Sequence, residues 1–129
     1  MLPMQTTDKS PKLFGIPNCS TVKKTMTWLT EQGHTPQFHD FKKHGVDAST
    51  LARWLRQHDW QVLLNRRGTT WRQLEASAQA SVQDASSATQ LMSTKPSLIK
   101  RPVIEWPSGA VTVGFDPEAL EHAVAGGAK

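Results

Sequence analysis

The stretch Lys12-Leu13-Phe14-Gly15-Ile16-Pro17-Asn18-Cys19-Ser20-Thr21-Val22-Lys23-Lys24 decides how this chain is read. Residues 12–16 carry strand signals and are stopped by Pro17, which has no amide to give a sheet ladder. Pro17-Asn18-Cys19-Ser20 is a turn, and Ser20 or Thr21 can cap a following helix. That helix is expected over about residues 21–32, because Val22, Met26 and Leu29 fall at i, i+4 and i+7 with Trp28 beside them. Gly33 supplies its stop. A second strand over residues 36–41, with Phe38 at its centre, completes strand–helix–strand within about 30 residues, the size of a βαβ unit.

Beyond this unit the middle of the chain reads as helical. Asp47 is an expected N-cap, with Leu51, Ala52 and Leu55 as the core face of a helix over residues 48–58. Trp60, Val62, Leu63 and Leu64 form a short apolar segment. Further helices are expected over residues 70–79 and 84–93, and Pro96 ends the region. Strand signals return in Leu98-Ile99-Lys100-Arg101-Pro102, which leads into Val103-Ile104-Glu105-Trp106. Pro107-Ser108-Gly109 then turns the chain into Ala110-Val111-Thr112-Val113, a hairpin. Asp116-Pro117-Glu118 opens a last helix with a cap, a proline at the first position and an acid in the first turn. The pattern is β-α-β, a helical insertion at about 47–96, then β-β-α. Residues 12–124 are read as one α/β domain, residues 1–11 as a loose polar arm and 125–129 as a frayed tail.

Composition excludes several classes. One cysteine in 129 residues, Cys19, leaves no internal disulfide and no cysteine-based zinc site. The histidines at 34, 39, 44, 58 and 122 have no ligand spacing, so no metal is expected. No run approaches the roughly 20 apolar residues of a membrane span, and no apolar leader is seen. A reduced, cytoplasmic protein is the expectation. The formal charge of +4 is uneven, with +6 on residues 1–72 and −2 on residues 73–129, so an anionic partner should meet the first half. Nucleic acid is not the expected anion, because no aromatic–basic strand motif accompanies this charge and Trp54, Trp60 and Trp71 are read as core. No P-loop or G-x-G-x-x-G occurs.

Three features carry chemistry. Cys19 lies after a strand and before a helix, where the helix amides and dipole stabilise a thiolate, and Lys23 and Lys24 add positive field. The plain alternative, a small buried hydrophobe, fits poorly with its polar neighbours Asn18 and Ser20. At Arg101-Pro102, a cis bond would turn the Arg101 backbone toward a peptide-like ligand, and its guanidinium could pin a carboxylate or oxyanion. The alternative is an edge-strand proline beside a solvated arginine. In Asn65-Arg66-Arg67-Gly68-Thr69 the arginines either face solvent or turn one guanidinium, that of Arg66, to an anion.

Taken in order and spacing, the Cys19 stretch, Leu64-Asn65-Arg66-Arg67-Gly68-Thr69-Thr70-Trp71 and Ile99-Lys100-Arg101-Pro102-Val103 resemble the arsenate reductase-related ArsC/Spx family, its YffB-type branch above all. The resemblance covers about residues 12–120. It implies a thioredoxin-like fold with a helical insertion on a mixed four-stranded sheet, a catalytic Cys19, and a cis Arg101-Pro102 peptide beside the thiol. Three departures bear on activity. Of the family's arginine triad only Arg101 is matched; a second position falls at or near Asn65, with Arg66 adjacent, and the third falls near Gly114. Losing guanidinium partners from an oxyanion site costs about 1.5–3 kcal/mol each. The family's histidine before the cysteine turn is replaced by Gly15, and Val22 fills the second position of the Cys-x-x-Cys switch of Spx-type regulators.

What the resemblance implies is a glutathione-dependent thiol reductase. Cys19 is its nucleophile, Asn18, Lys23, Arg66, Arg101 and Pro102 bind the substrate or glutathione, and no cofactor is held beyond glutathione as co-substrate. Without a resolving cysteine, its mixed disulfide needs an external thiol, with glutaredoxin as a further partner. Alternatives are a glutathione- or glutaredoxin-coupled arsenate reductase and a non-enzymatic, protein-binding regulator of the Spx type. A monomer suffices for each.

Overall fold

Lys12–Gly15 forms strand β1, and its last three residues are buried. The computed structural model of the protein describes residues 10–127. After β1 come helix α1 (Ser20–Glu31) and strand β2 (Gln37–Asp40). Helices α2 (Phe41–His44), α3 (Ala48–Leu55), α4 (Trp60–Leu63), α5 (Thr69–Arg72), α6 (Ala76–Ala80) and α7 (Ala85–Thr94) follow. A 3-10 turn at Pro96–Leu98 leads to strands β3 (Val103–Glu105) and β4 (Val111–Val113) and helix α8 (Pro117–Gly127). The chain divides into two compact units, one of residues 10–40 and 101–127, the other of Phe41–Lys100.

The first unit holds the sheet, in the order β2-β1-β3-β4. β1 runs parallel to β2 and antiparallel to β3, and β3 is antiparallel to β4, so the sheet is mixed as expected. Leu13 stands opposite Ile104, and both point to the face that α1 and α8 cover. Leu13, Val22, Leu29, Ile104, Trp106, Leu120 and Ala123 make that core. The Trp106 indole is seated there with its N–H donating to Thr112 Oγ1 at 3.0 Å, which spares a buried donor the cost of desolvation. α1 ends as its sequence dictates, with Gly33 at φ +85°, a backbone that favours glycine. Phe38 is 41% exposed: β2 is an edge strand, so its apolar residue is not central to the core.

The second unit is built of helices, with one isolated bridge among its described residues. Asp47 caps α3 by accepting from the Thr50 amide at 2.9 Å, and Leu51 and Trp54 are its buried residues. Two differences from the sequence reading have physical causes. The expected helix over 70–79 is broken between α5 and α6, neither of which has a fully buried residue to anchor it. The break is sealed by the Gln79 side chain, which donates to the Trp71 carbonyl at 2.8 Å. The unit is also wider than the stretch 47–96, because Phe41, Leu98 and Ile99 are buried and Ile99 pairs with Leu64 in an antiparallel bridge. α7 starts with a capping box in which Asp84 Oδ1 accepts from the Ser87 amide and Ser87 Oγ accepts from the Asp84 amide. Of the tryptophans read as core, Trp54 is fully buried, whereas Trp60 and Trp71 are half-buried.

Most of the stretch 1–11 lies outside the described residues, while Pro11 at its end is buried and its carbonyl accepts from the Gln37 amide. Helix α8 extends to Gly127, into the stretch 125–129 read as a frayed tail, and residues 128–129 lie outside the description. Among the described residues no helix is long and apolar enough to cross a membrane.

Candidate active site

Cys19 is the N-cap of α1. Its backbone is extended, φ −103° and ψ 123°, and its carbonyl accepts the first helical bond from Lys23 at 3.0 Å. The preceding Pro17 and Asn18 are exposed, and the thiol itself is partly exposed, resting against the first unit's core. The first turn of α1 contains no acid, so nothing opposes the positive end of the helix there.

The electrostatics of the sulfur follow from five contributions. Burial is the largest single influence and favours the neutral thiol, but it is outweighed by the sum of the others. The Val22 amide, the Arg101 guanidinium and the Thr21 amide all stabilise a charged sulfur, and the Arg101 charge adds to them. The Cys19 pKa is therefore lowered. The sulfur makes no close capping bond in the strict sense, so these amides act as oriented dipoles that tighten once the sulfur is ionised.

Arg101 reaches this sulfur from the segment just before β3. Its peptide to Pro102 is cis, as expected. The Pro102 carbonyl accepts from the Gly114 amide at 2.8 Å. Gly114 has φ +81°, with open space where a Cβ would stand. An arginine at that position is disfavoured by backbone conformation, not by room.

Asn18, Lys23, Arg101 and Pro102 thus share a unit with Cys19, and Arg101 interacts with it directly. Lys23 is exposed on α1, one turn beyond the cap, and Lys24 rests its ammonium over the Phe115 ring at 5.6 Å. Arg66 belongs to the second unit. There it is exposed, with its guanidinium over the Trp60 ring at 5.9 Å. Asn65 Oδ1 accepts from the Arg67 amide at 3.1 Å, and Gln61, Asn65, Arg66, Arg67 and Lys100 line a basic cleft of that unit. The helix amides expected at the sulfur are those of Thr21 and Val22, whereas sequence reasoning missed Gly15, which faces Val22. The available signal for Gly15 was a glycine inside a strand pattern, which marks a close approach. Among the described residues no group of three or more potential ligands could hold a metal ion.

The model of the ArsC family matches residues 14–123. The chain belongs to the ArsC family. An uncharacterised protein of Haemophilus influenzae is 36% identical over 113 residues, which span 88% of this chain and 97% of that protein. The solved structure of a YffB protein is similar at 45% identity and a TM-score of 0.82, covering 88% of this chain and 98% of its own. An arsenate reductase (ArsC) related protein from Brucella melitensis shares 46% identity at a TM-score of 0.69, covering 89% and 94%. An arsenate reductase from Vibrio cholerae, 21% identical with a TM-score of 0.76 and coverage of 89% and 98%, shows the shared fold alone. This ArsC-family chain has the thioredoxin-like fold, and the family is one of thiol-based reductases.

The lowered pKa has two measurable consequences. Alkylation of Cys19 by iodoacetamide should reach half its limiting rate below the roughly 8.5 of a free cysteine. The folded thiol ionises before the unfolded one, so thiolate stabilisation appears as pH rises through the folded value and is complete above the unfolded value. Urea melts at pH 7 and pH 9.5 should show this gain in the native protein and not in Cys19→Ser. A native protein without the gain, or with a half-point at 8.5 or above, would contradict the electrostatics.

Proposed function

We propose that this chain is a glutathione-dependent thiol reductase with Cys19 as its nucleophile. The observation that carries the reading is a lone, partly exposed thiol at a helix N-cap, with its pKa lowered by two amides and Arg101. The Cys19 thiolate attacks the glutathionyl sulfur of a mixed disulfide. The disulfide breaks, the substrate thiolate leaves and takes a proton, and Cys19 carries the glutathionyl group. A second glutathione thiolate attacks that new disulfide, releasing oxidised glutathione and restoring the Cys19 thiolate. The net change is one mixed disulfide and one glutathione converted to one free thiol and one oxidised glutathione.

An external resolving thiol is required because Cys19 is the one cysteine in the chain, and Val22, a buried core side chain, fills the place of a Cys-x-x-Cys partner. The carboxylates of glutathione suit the positive groups Lys23 and Arg101, with Asn18 and Pro102 in the segments that flank the thiol and the arginine. The glycine backbone at Gly114 and the neutral side chain of Asn65 favour thiol over arsenate chemistry, since an oxyanion site would want guanidinium groups at both. The same buried Val22 argues against a Spx-type disulfide switch.

The test is mass spectrometry of the intact protein after exposure to oxidised glutathione. One glutathionyl adduct, mapped to Cys19 and removed by reduced glutathione, is expected. A thiol that alkylates rapidly but takes no glutathionyl group would end the proposal.

A further inference from the structure

Gly15 closes β1 four residues before Cys19, and the glycine there faces the first turn of α1. A Cβ built on Gly15 would stand 2.7 Å from Val22 Cγ2 and 3.5 Å from Val22 Cγ1. The first distance is far inside van der Waals contact. Val22 cannot give way easily. Its β-branched side chain has one strongly preferred rotamer in a helix, and it is 2% exposed in the core of Leu13, Leu29 and Ile104. Relief must therefore come from the backbone of the first turn.

We infer that Gly15 is a positioning residue for the reactive thiol: its missing side chain keeps β1 clear of Val22, so that the first turn of α1 is not pushed out of place at the Cys19 sulfur. The inference rests on Cys19 being a reactive thiol, as the proposed function requires, but not on glutathione being its partner. Two independent features meet in one residue. The Val22 side chain is what Gly15 admits, and the Val22 amide is among the dipoles that hold the sulfur charged. Moving that amide by a few tenths of an ångström weakens its pull on the sulfur, since such interactions fall off with distance and angle. Arg101, which reaches the sulfur from the segment before β3, is not carried on that turn. A side chain at position 15 therefore acts chiefly through the amides of the turn.

The test compares Gly15→Ala, Val22→Ala and the double variant by the pH profile of Cys19 alkylation and by urea melts. Gly15→Ala should shift the profile upward and slow alkylation several-fold at pH 7. Val22→Ala should be less stable than native yet keep the native profile. The double variant, with room for the new Cβ, should recover the native profile while staying less stable than native. That dissociation of profile from stability is what a merely structural glycine would not produce. If Gly15→Ala does not fold, Val22→Ile presses on the same contact from the helix side and should give a smaller upward shift. An unchanged profile in Gly15→Ala, an unchanged profile in Val22→Ile where it has to stand in, or a shift in the double variant as large as in the single one, would overturn the inference. Loss of glutathionyl transfer with these profiles intact would instead count against the proposed function alone.

Discussion

Cys19→Ser should abolish reduction of a glutathionylated small thiol, lowering turnover by about 10⁴-fold or more, to the uncatalysed background. The size follows from the chemistry. A serine hydroxyl is not ionised at neutral pH and forms no disulfide, so neither half of the exchange can proceed. The chain has no second thiol to stand in for it. Arg101→Ala should fall far short of this. It removes one charge-assisted bond to a partly exposed sulfur, which is worth about 1 kcal/mol after solvent screening, or roughly fivefold in rate at neutral pH. The rank order is therefore the diagnostic. Steady-state rates with a mixed disulfide of glutathione and a small thiol measure both variants. Residual turnover in Cys19→Ser near the native level would show that the chemistry lies elsewhere.

Much of this site was legible because it is written in local signals. The β1–turn–α1 order around Cys19 comes from a proline stop, polar turn residues and an apolar helical face, each acting over a few residues. The Pro107-Ser108-Gly109 turn is of the same kind, with the Gly109 amide donating to the Trp106 carbonyl at 2.8 Å. Arg101 is different. Its place beside the sulfur depends on β3 pairing with β1 some 90 residues later in the chain, which only the family resemblance anticipated. What stayed hidden was set by packing. Neither the contact between Gly15 and Val22 nor the division of five tryptophans between buried and half-buried positions has a sequence period. The capping box of α7 escaped for a simpler reason: its reciprocal partner is Ser87, where a glutamate or glutamine is the usual signal.

Trp54→Ala should be the most damaging substitution away from the thiol, costing about 3–5 kcal/mol. α3 is eight residues long, too short to persist in water by its own hydrogen bonds. The Asp47 cap satisfies its first turn, but caps position a helix end and do not hold a helix against its neighbours. That anchoring falls to Leu51 and Trp54, both with no exposed surface. Removing the indole leaves a cavity too large for its surroundings to fill, so the cavity adds to the lost transfer energy. Against a total stability of roughly 5–15 kcal/mol the change is severe, and the thermal midpoint should fall by about 10–20 °C. Trp54→Phe, which keeps most of the apolar volume, should lose under half as much. Trp60→Ala is the internal control. Trp60 is half-buried beneath the Arg66 guanidinium, so its removal should cost clearly less than that of Trp54. Thermal melts of the three variants decide the matter, and equal losses at Trp54 and Trp60 would mean that α3 is not the anchored element of the helical unit.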